Sequence, residues 1–271
     1  MKALEIVFWI SVFVVFYTYI GYGIVLWVLV KVKETFRPRK EPRMPDELPE
    51  VTLFVAAYNE ERVVDEKMAN TRSLDYPADR LKVVWVTDGS DDSTNRRLEA
   101  YPEVEVFFQP ERQGKTAALN RGIEFVETSL VVFTDANTML NREAIREIVR
   151  CFSDPTVGCV AGEKRIAVRR LDGAAAGGEG LYWKYESALK RLDWRLYSAM
   201  GAAGELFAVR RVLFERMEND TLLDDFVLSL RIVQKGYRIA YCDTAYAIEG
   251  ASSDMKEEQK RKVRICAGGL Q

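Results

Sequence analysis

Short apolar runs in this chain each end in a cluster of acidic, amide and hydroxyl side chains. Such runs are typical of buried strands. Because ligands of an open α/β sheet bind beyond the carboxyl ends of its strands, we expect the clusters to meet at one site. A site so rich in carboxylates suits a divalent cation that carries a phosphorylated ligand. The runs, with the first residue of each cluster, are Val51–Ala57 with Tyr58, Leu81–Thr87 with Asp88, and Leu130–Phe133 with Thr134.

The order of the predicted elements favours a parallel sheet covered by helices, because strands and helices alternate from Val51 onwards. The second half is less regular, and its Gly- and Ala-rich stretch Asp172–Gly180 is expected to be a mobile connection. The predicted strands are Val51–Ala57, Leu81–Thr87, Val104–Gln109, Leu130–Phe133, Val157–Ala161, Leu206–Val209 and Arg238–Cys242. The predicted helices are Glu60–Ser73, Ser93–Ala100, Lys115–Glu127, Arg142–Phe152, Gly180–Tyr197 and Asp225–Gln234.

The stretch Leu4–Val30 is almost wholly apolar. A helix of about 20 apolar residues crosses a bilayer, so this stretch is predicted to be a transmembrane helix. A cleaved signal peptide is the alternative, but its apolar core would be shorter, and no clear small-x-small cleavage site follows Val30. The positive-inside rule places the basic flank, and all that follows it, in the cytoplasm. The basic residues of that flank are Lys31, Lys33, Arg37, Arg39, Lys40 and Arg43.

These patterns divide the chain into segments. Residues 4–30 form the transmembrane helix, and residues 31–50 form a basic, proline-rich linker that is expected to be extended. Residues 51–254 form the α/β domain, and residues 255–271 form a basic, amphipathic segment. That last segment is either an interfacial helix on the membrane or a helix with a solvated charged face.

Composition excludes several kinds of chemistry. The chain contains no histidine, which excludes a histidine general base and a histidine-ligated zinc site. The formal net charge of -2 gives no support to a nucleic-acid partner. The cysteines form no C-x-x-C pair and fit reduced thiols in a cytosolic compartment.

Clusters at the ends of two predicted strands have the residue types of a nucleotide site and a metal site. Asp88 directly follows a strand, where a carboxylate can accept hydrogen bonds from a ribose or a base; a capped turn is the alternative. Asp135 and Asn137 are separated by one residue, and their side chains could share Mg²⁺ with phosphate oxygens. Asn137 keeps an oxygen ligand but loses a charge, which predicts weakened metal affinity. A plain turn is again the alternative.

Charged residues at predicted helix starts complete the candidate site. Lys115 opens a helix, where it can meet phosphate or simply be solvated. Asp224 and Asp225 begin another helix, and adjacent carboxylates raise each other's pKa, which suits a general base. Capping of the helix dipole is the alternative. Arg261 and Arg264 lie in a basic run that could bind a diphosphate or membrane headgroups.

Together these motifs resemble the family 2 glycosyltransferases, and among them the membrane-bound, cellulose-synthase-like and poly-N-acetylglucosamine-synthase-like branch. The resemblance runs from about Val51 to Gln271 and rests on motifs that stand in the family's order. They are Ala57-Tyr58-Asn59-Glu60, Thr87-Asp88-Gly89-Ser90, Gly114-Lys115 with Ala118-Leu119-Asn120, Asp135-Ala136-Asn137, Gly201–Arg211 and Asp224-Asp225.

The resemblance implies an A-type glycosyltransferase domain, a Rossmann-like nucleotide-diphospho-sugar transferase fold, after one transmembrane helix. It implies inverting transfer from a nucleotide-sugar, a UDP-sugar, to a glycan or lipid-linked acceptor at the cell membrane, with the catalytic domain in the cytoplasm. Asp225, with Asp224, is the implied catalytic base, and Asp135 and Asn137 would hold Mg²⁺ or Mn²⁺. The lipid bilayer is a further expected partner. The implied substrate-binding residues are Ala57, Tyr58, Glu60, Asp88, Lys115, Asp135, Gly204, Arg261 and Arg264.

The chain departs from the family pattern at two positions. Asn137 stands where most relatives carry Asp, and Ile265 stands where processive polymer synthases carry a Trp that packs on the acceptor sugar. The second departure argues against synthesis of a long polymer. A sugar nucleotidyltransferase is an alternative, but it would carry a glycine-rich, basic loop where Tyr58–Arg62 stands. A membrane-tethered nucleotide-binding module without turnover is another, supported only by the two departures.

Overall fold

The computed structural model of the protein describes residues 2–38, 42–167, 174–250 and 255–271. Within these residues the apolar runs assemble into one mixed sheet, whose strands lie in the order β3-β2-β1-β4-β7-β6-β8-β5. Their bounds are β1 Val51–Ala57, β2 Leu81–Asp88, β3 Val104–Gln109, β4 Leu130–Asp135, β5 Thr138–Leu140, β6 Val157–Ala167, β7 Leu206–Arg210 and β8 Arg238–Gly250.

One half of the sheet is parallel, as predicted. Strand β1 pairs in parallel with β2 and with β4, and β2 pairs in parallel with β3. The apolar run of β1 is continuous because nearly all of it is buried, as is typical of parallel strands covered on both faces. The register aligns Ala57 with Thr87 and Ala56 with Asp135. The carboxyl ends of β2 and β4, with Asp88 and Asp135, therefore lie at the same edge.

The other half of the sheet is mixed. Strand β7 is antiparallel to both β4 and β6, whereas β8 is parallel to β6 and antiparallel to β5. Strand β5 was not predicted, because a run of three residues carries too little alternation to be recognised. Strands β6 and β8 are longer than predicted because they continue past register shifts through residues of mixed polarity, as at Gly162/Glu163.

The helices lie close to their predicted places. The predicted helix Glu60–Ser73 starts only at Val64, because residues 60–63 form a turn in which the amide of Val63 donates to the carbonyl of Glu60. The bounds are α1 Lys2–Phe16, α2 Tyr22–Phe36, α3 Val64–Arg72, α4 Thr94–Leu98, α5 Lys115–Gly122, α6 Ala144–Cys151, α7 Ala174–Leu196, α8 Asp224–Gln234 and α9 Met255–Leu270.

The predicted mobile connection Asp172–Gly180 is wrong over most of its length. Helix α7 already begins at Ala174, so residues 174–180 form its first two turns despite the three glycines among them. Residues 172–173 lie outside the part of the chain that the structure describes.

Helices α1 and α2 are joined by a π-helical turn, Tyr17–Gly21, and Lys2–Phe36 is long and apolar enough to cross a membrane. Its last turns dock on α7 through polar contacts. The Tyr22 hydroxyl donates to Asp193 at 2.7 Å, and Arg195 pairs with Glu34 at 2.6 Å. Lys33 donates to the terminal carbonyls of α7, at Arg195 and Leu196. This docking keeps residues 31–36 helical, although the linker was predicted to begin at residue 31.

A buried aromatic stack joins the two halves of the sheet. The ring of Phe133 on β4 lies 5.1 Å from that of Phe54 on β1 and 4.8 Å from that of Phe207 on β7, measured between centroids. All three side chains are almost fully buried. Because aromatic pairs add to the burial of apolar surface, this stack fixes β4 and β7 side by side, and with them the loops at their ends.

Candidate active site

A cleft of about 640 Å³ opens where the two halves of the sheet meet. Its floor is built by the first residues of α5 and α8, by the end of β4 and by the segment Ala202–Glu205 that precedes β7. Helices α7 and α9 form its sides. The predicted site residues that line it are Lys115, Asp135, Gly204, Asp224, Asp225 and Arg264.

Lys115 lies among carboxylates at the centre of the cleft. Its Nζ is 2.8 Å from Asp135 Oδ1 and 4.0 Å from Asp224 Oδ2. Burial alone would lower the pKa of Lys115, but the two aspartates raise it above its usual range. Gly114 precedes Lys115 with φ of +98°, a conformation that glycine adopts without strain and that turns the chain into α5.

The carboxylate of Asp224 is incompletely bonded, because its Oδ2 has only the distant contact with Lys115. Its side chain is almost fully buried, and Oδ2 has no hydrogen bond to any described residue. Burial raises the pKa of Asp224, and Lys115 opposes that rise. A buried carboxylate oxygen without a hydrogen bond is costly, and such atoms are expected where a ligand completes the bonding.

Asp225 lies opposite Gly204. A Cβ on Gly204 would be 3.3 Å from Asp225 Oδ2 and 3.2 Å from Lys115 Nζ, so only a glycine leaves this space open. Burial, with the neighbouring Asp224, raises the pKa of Asp225 to about 7. The predicted direction is therefore confirmed, although burial contributes more than the adjacent carboxylate. A carboxyl with such a pKa can accept a proton near neutral pH.

The residues predicted for the nucleoside lie beside the cleft and do not line it. Asp88 is buried, and its Oδ2 accepts hydrogen bonds from the amides of Gln113 and Gly114 at 2.8 and 2.7 Å. Asp88 therefore fixes the loop that leads into α5. The Tyr58 side chain is exposed, and the Arg112 guanidinium lies over its ring, with Cζ 3.6 Å from the ring centroid.

Two more of these residues lie at the end of β1. Ala57 is buried at the last position of the strand. Glu60 follows in the turn, and its amide donates to the Thr94 hydroxyl at 2.8 Å. Burial raises the pKa of Glu60, and Asp135 adds to the rise. The two strand-end loops are thus close enough for their carboxylates to influence one another.

The residues predicted to bind a metal lie in the tight turn between β4 and β5. Asp135 is partly exposed and Asn137 is exposed, so both can reach a ligand. Among the described residues, no group of three or more acidic or cysteine side chains forms a preformed metal site. Mg²⁺ and Mn²⁺ need few protein ligands when phosphate oxygens supply the rest. Asp135 and Asp224 both line the cleft and fit a cation shared with a diphosphate, whereas Asn137 follows in the turn and does not line the cleft.

Helix α9 covers one side of the cleft. Arg264 and Ile265 line the cleft, and Gln271 accepts a hydrogen bond from the amide of Leu222 at 3.2 Å. The helix thus packs on the loop that leads to Asp225. The side chain of Arg261 lies outside the part of the chain that the structure describes.

Sequence reasoning missed several charged residues of the site. Lys164, Glu186, Lys190 and Glu205 line the cleft and come from β6, α7 and the loop before β7. No local motif marks Lys164, Glu186 or Lys190, because their positions depend on the mixed half of the sheet. Glu205 lies within the motif Gly201–Arg211 but was not predicted as a site residue. Lys67 could have been found: the buried stripe of α3 is Val64, Lys67, Met68 and Thr71, a helical spacing that places a lysine among core residues.

The mixed α/β sheet and the acid-rich cleft at its strand ends define an A-type glycosyltransferase domain. The sequence model of the family described as "Glycosyltransferase like family 2" matches residues 49–268, and the chain belongs to this family. The predicted family is thereby confirmed.

Two curated relatives are a probable glycosyltransferase and a polysaccharide synthase. The probable glycosyltransferase YdaM of Bacillus subtilis (strain 168) is 27% identical over 235 residues, which are 82% of this chain and 56% of that protein. The poly-beta-1,6-N-acetyl-D-glucosamine synthase of Staphylococcus aureus (strain COL) is 26% identical over 236 residues, 83% of this chain and 55% of that protein. The chain therefore spans about half the length of these relatives. The second relative confirms the predicted branch.

A solved structure shares the fold over nearly the whole chain. The mannosyltransferase PcManGT from Pyrobaculum calidifontis, in complex with GDP-Man and Mn²⁺, superposes with a TM-score of 0.76 at 26% identity. The match covers 94% of this chain and 71% of that one. The predicted fold class is confirmed.

Proposed function

We propose that this chain is the catalytic part of a membrane-anchored, inverting, metal-dependent hexosyltransferase that moves a sugar from a nucleotide-sugar to a glycan or lipid-linked acceptor. The observation that carries the proposal is the meeting of Lys115, Asp135, Asp224 and Asp225 in one cleft of about 640 Å³. The cleft holds more carboxylates than cations at its centre, which suits a metal-bound diphosphate beside a general base.

Asp225 is the base in this proposal. It faces the open space at Gly204, and its raised pKa lets it take the proton of an acceptor hydroxyl near neutral pH. The hydroxyl oxygen attacks the anomeric carbon as the bond to the diphosphate breaks, so the configuration at that carbon inverts. Asp224 supports the base through its charge, because the two side chains are adjacent and both are sheltered from water.

The other charged residues act on the leaving diphosphate. Asp135 and Asn137, with Oδ2 of Asp224, would hold Mg²⁺ or Mn²⁺, which supplies positive charge to the phosphate oxygens. Lys115 and Arg264 line the same cleft and add fixed positive charge as the leaving group forms. Arg261 is proposed to assist from the same helix.

The nucleoside is proposed to bind at the loops after β1 and β2. The side chain of Tyr58 is exposed beside Arg112, and Glu60 and Ala57 flank it at the strand end. Asp88 acts partly through the loop it holds, because its carboxylate bonds the amides of Gln113 and Gly114 next to Lys115. The UDP-sugar remains a prediction. The relative solved with GDP-Man makes GDP-sugars the donors to test beside it.

The membrane setting is supported by the long apolar helix Lys2–Phe36, whose end docks on α7 of the catalytic domain. Basic residues follow the apolar run, and by the positive-inside rule they support a cytoplasmic catalytic domain, on the side where nucleotide-sugars are made. The relationship to a poly-beta-1,6-N-acetyl-D-glucosamine synthase supports a role in polysaccharide or cell-envelope glycan synthesis.

The proposal is tested by nucleotide release from the detergent-solubilised protein. A panel of UDP- and GDP-sugars is supplied with Mn²⁺, Mg²⁺ or EDTA, and the released nucleoside diphosphate is measured. Metal-dependent release from one preferred donor is expected. Tight nucleotide binding with no release, even with added glycan and lipid-linked acceptors, would instead favour a binding module. The absence of both nucleotide binding and nucleotide release would contradict the proposal.

A further inference from the structure

One buried charge in the domain has no part in the proposed chemistry. Lys67, on α3, has no exposed surface. Taking an ammonium group out of water costs several kcal/mol, and a similar apolar side chain would avoid that cost. Burial lowers the pKa of Lys67 to about 7, although the nearby Asp135 opposes the shift. The contacts of the ammonium therefore need an explanation beyond packing.

The ammonium of Lys67 bonds both ends of the turn that carries Asp135 and Asn137. Its Nζ donates to the Thr134 hydroxyl at 3.0 Å and to the carbonyl of Thr138 at 2.6 Å. Thr134 directly precedes Asp135, and Thr138 directly follows Asn137. Lys67 thus links the two residues that flank the turn.

The same network reaches the segment opposite the proposed base. The Thr134 hydroxyl, which accepts from Lys67, donates to the carbonyl of Glu205 at 3.0 Å. The Thr138 hydroxyl donates to the carbonyl of Asp135 at 3.0 Å. Glu205 directly follows Gly204, the residue that faces Asp225 and Lys115. One chain of hydrogen bonds therefore joins the turn of Asp135 to the Gly204–Glu205 segment.

We propose that Lys67 is a positioning residue that fixes the spacing between the turn of Asp135 and Asn137 and the Gly204–Glu205 segment. The proposal rests on the proposed function, since it assigns these two segments to the donor diphosphate and to the acceptor. Groups behind metal ligands commonly change metal affinity or activity by about 10–100-fold when they are removed. Lys67 fits that role, because it touches neither the cleft nor Asp225.

The test compares Lys67→Met with Asn70→Ala, a variant of the same helix. Asn70 bonds the backbone of Leu140 on β5 twice, at 2.8 and 2.9 Å, and so braces α3 without contacting the turn. Lys67→Met removes the ammonium but keeps much of the side-chain volume. We expect its melting temperature to fall by no more than that of Asn70→Ala, because each variant loses two hydrogen bonds and Lys67→Met also removes the cost of a buried charge. We expect the Mn²⁺ concentration for half-maximal nucleotide release to rise by about tenfold or more.

The control separates a loss of stability from a loss of metal affinity. Asn70→Ala loses two hydrogen bonds and should lower the melting temperature while leaving the Mn²⁺ requirement unchanged. If Lys67→Met fails to fold, Thr134→Val serves in its place. It breaks the link to Glu205 while the lysine stays, and it should raise the Mn²⁺ requirement by a smaller factor.

The outcomes separate this inference from the proposed function. Titration of UDP and GDP with Mn²⁺ by calorimetry gives a second measure that needs no turnover. A wild type that binds neither nucleotide would contradict the proposed function. A wild type that binds, beside a Lys67→Met variant with the same metal requirement, affinity and release rate, would overturn the positioning role alone.

Discussion

Two lysines of the cleft are each paired with two carboxylates, but the two sets of charges are not equivalent. Lys164 on β6 bonds Glu205 and Glu249 at close range. Although burial alone would raise the pKa of Glu205, Lys164 lowers it below its usual range. The charges of this set satisfy one another.

The set around Lys115 is left incomplete. Lys115 contacts Asp135 closely, but it lies 4.0 Å from Asp224 Oδ2, a buried oxygen that no described residue hydrogen-bonds. The pKa of Asp225 beside it is raised to about 7 by burial and by Asp224. A cluster in which the lysine bonds both of its carboxylates stabilises the fold. A cluster in which one lysine faces three carboxylates, and bonds only one of them, can bind a cation and accept a proton. The Lys115 cluster is therefore the reactive one in our account.

The largest expected effect in this comparison is at Asp225. The variant Asp225→Asn should lower transfer by at least about 100-fold, since a positioned general base contributes about that much or more. Nucleotide binding, measured by calorimetry, should persist. The change should also stabilise the protein at alkaline pH, because a carboxyl whose pKa is raised on folding costs stability once it ionises. Transfer close to the wild-type rate would show that Asp225 is not the base.

Exchange of each lysine for methionine should separate the two clusters. Lys115→Met should lower the rate of nucleotide release by about 100-fold, because fixed positive charge at the leaving group is lost. Its melting temperature should change little. Lys164→Met should instead lower stability, by about 3 kcal/mol, because two glutamates lose their partner in a largely buried position. If the two variants changed the rate of nucleotide release equally and the stability equally, the two clusters would not differ in function.

The variant Gly204→Ala tests whether transfer needs the open space between Lys115 and Asp225. A methyl group there would lie 3.2 Å from Lys115 Nζ and 3.3 Å from Asp225 Oδ2, so Gly204→Ala must displace one of the two side chains. Because both chain ends can move, we expect about a tenfold loss of transfer and little change in stability. Gly236→Ala is the matched control for a glycine without close neighbours, although its φ of +87° adds strain that should lower only the melting temperature. An unchanged rate in Gly204→Ala would show that this space is not used.

The smallest expected effect is a pH dependence. A base must be deprotonated to act, so transfer should rise with pH and level off by about 7, the value to which the pKa of Asp225 is raised without a metal. The metal-bound state should show a lower midpoint, because a cation stabilises the ionised carboxyl. A rate that falls over this range would contradict the role of Asp225.

The parallel half of the sheet could be predicted from the sequence because its strands are continuous apolar runs. Asp135 and Lys115 were found for the same reason: each stands at the boundary of such an element. The mixed half could not be predicted, because the long strands β6 and β8 pass through register shifts and bear charged residues that no local pattern assigns. Lys164 therefore remained hidden.

The nucleoside residues show a different limit. Asp88 was correctly predicted at a strand end. The sequence could not show that its carboxylate accepts hydrogen bonds from the amides of residues 113–114. Long-range contacts of that kind depend on the length of the loop before α5. Likewise, the helical spacing of Lys67 was visible, whereas its bonds to Thr134 and Thr138 required the turn between β4 and β5.

The most direct test of the reactive cluster is a crystal structure with Mn²⁺ and the nucleoside diphosphate of the preferred donor, with the metal located by its anomalous scattering. Our account predicts Mn²⁺ bound to Asp135 and to phosphate oxygens, with Lys115 Nζ moved from the aspartate, now 2.8 Å away, to the diphosphate. Mn²⁺ at another place, with Lys115 still paired to Asp135 and the nucleotide outside the cleft, would contradict it.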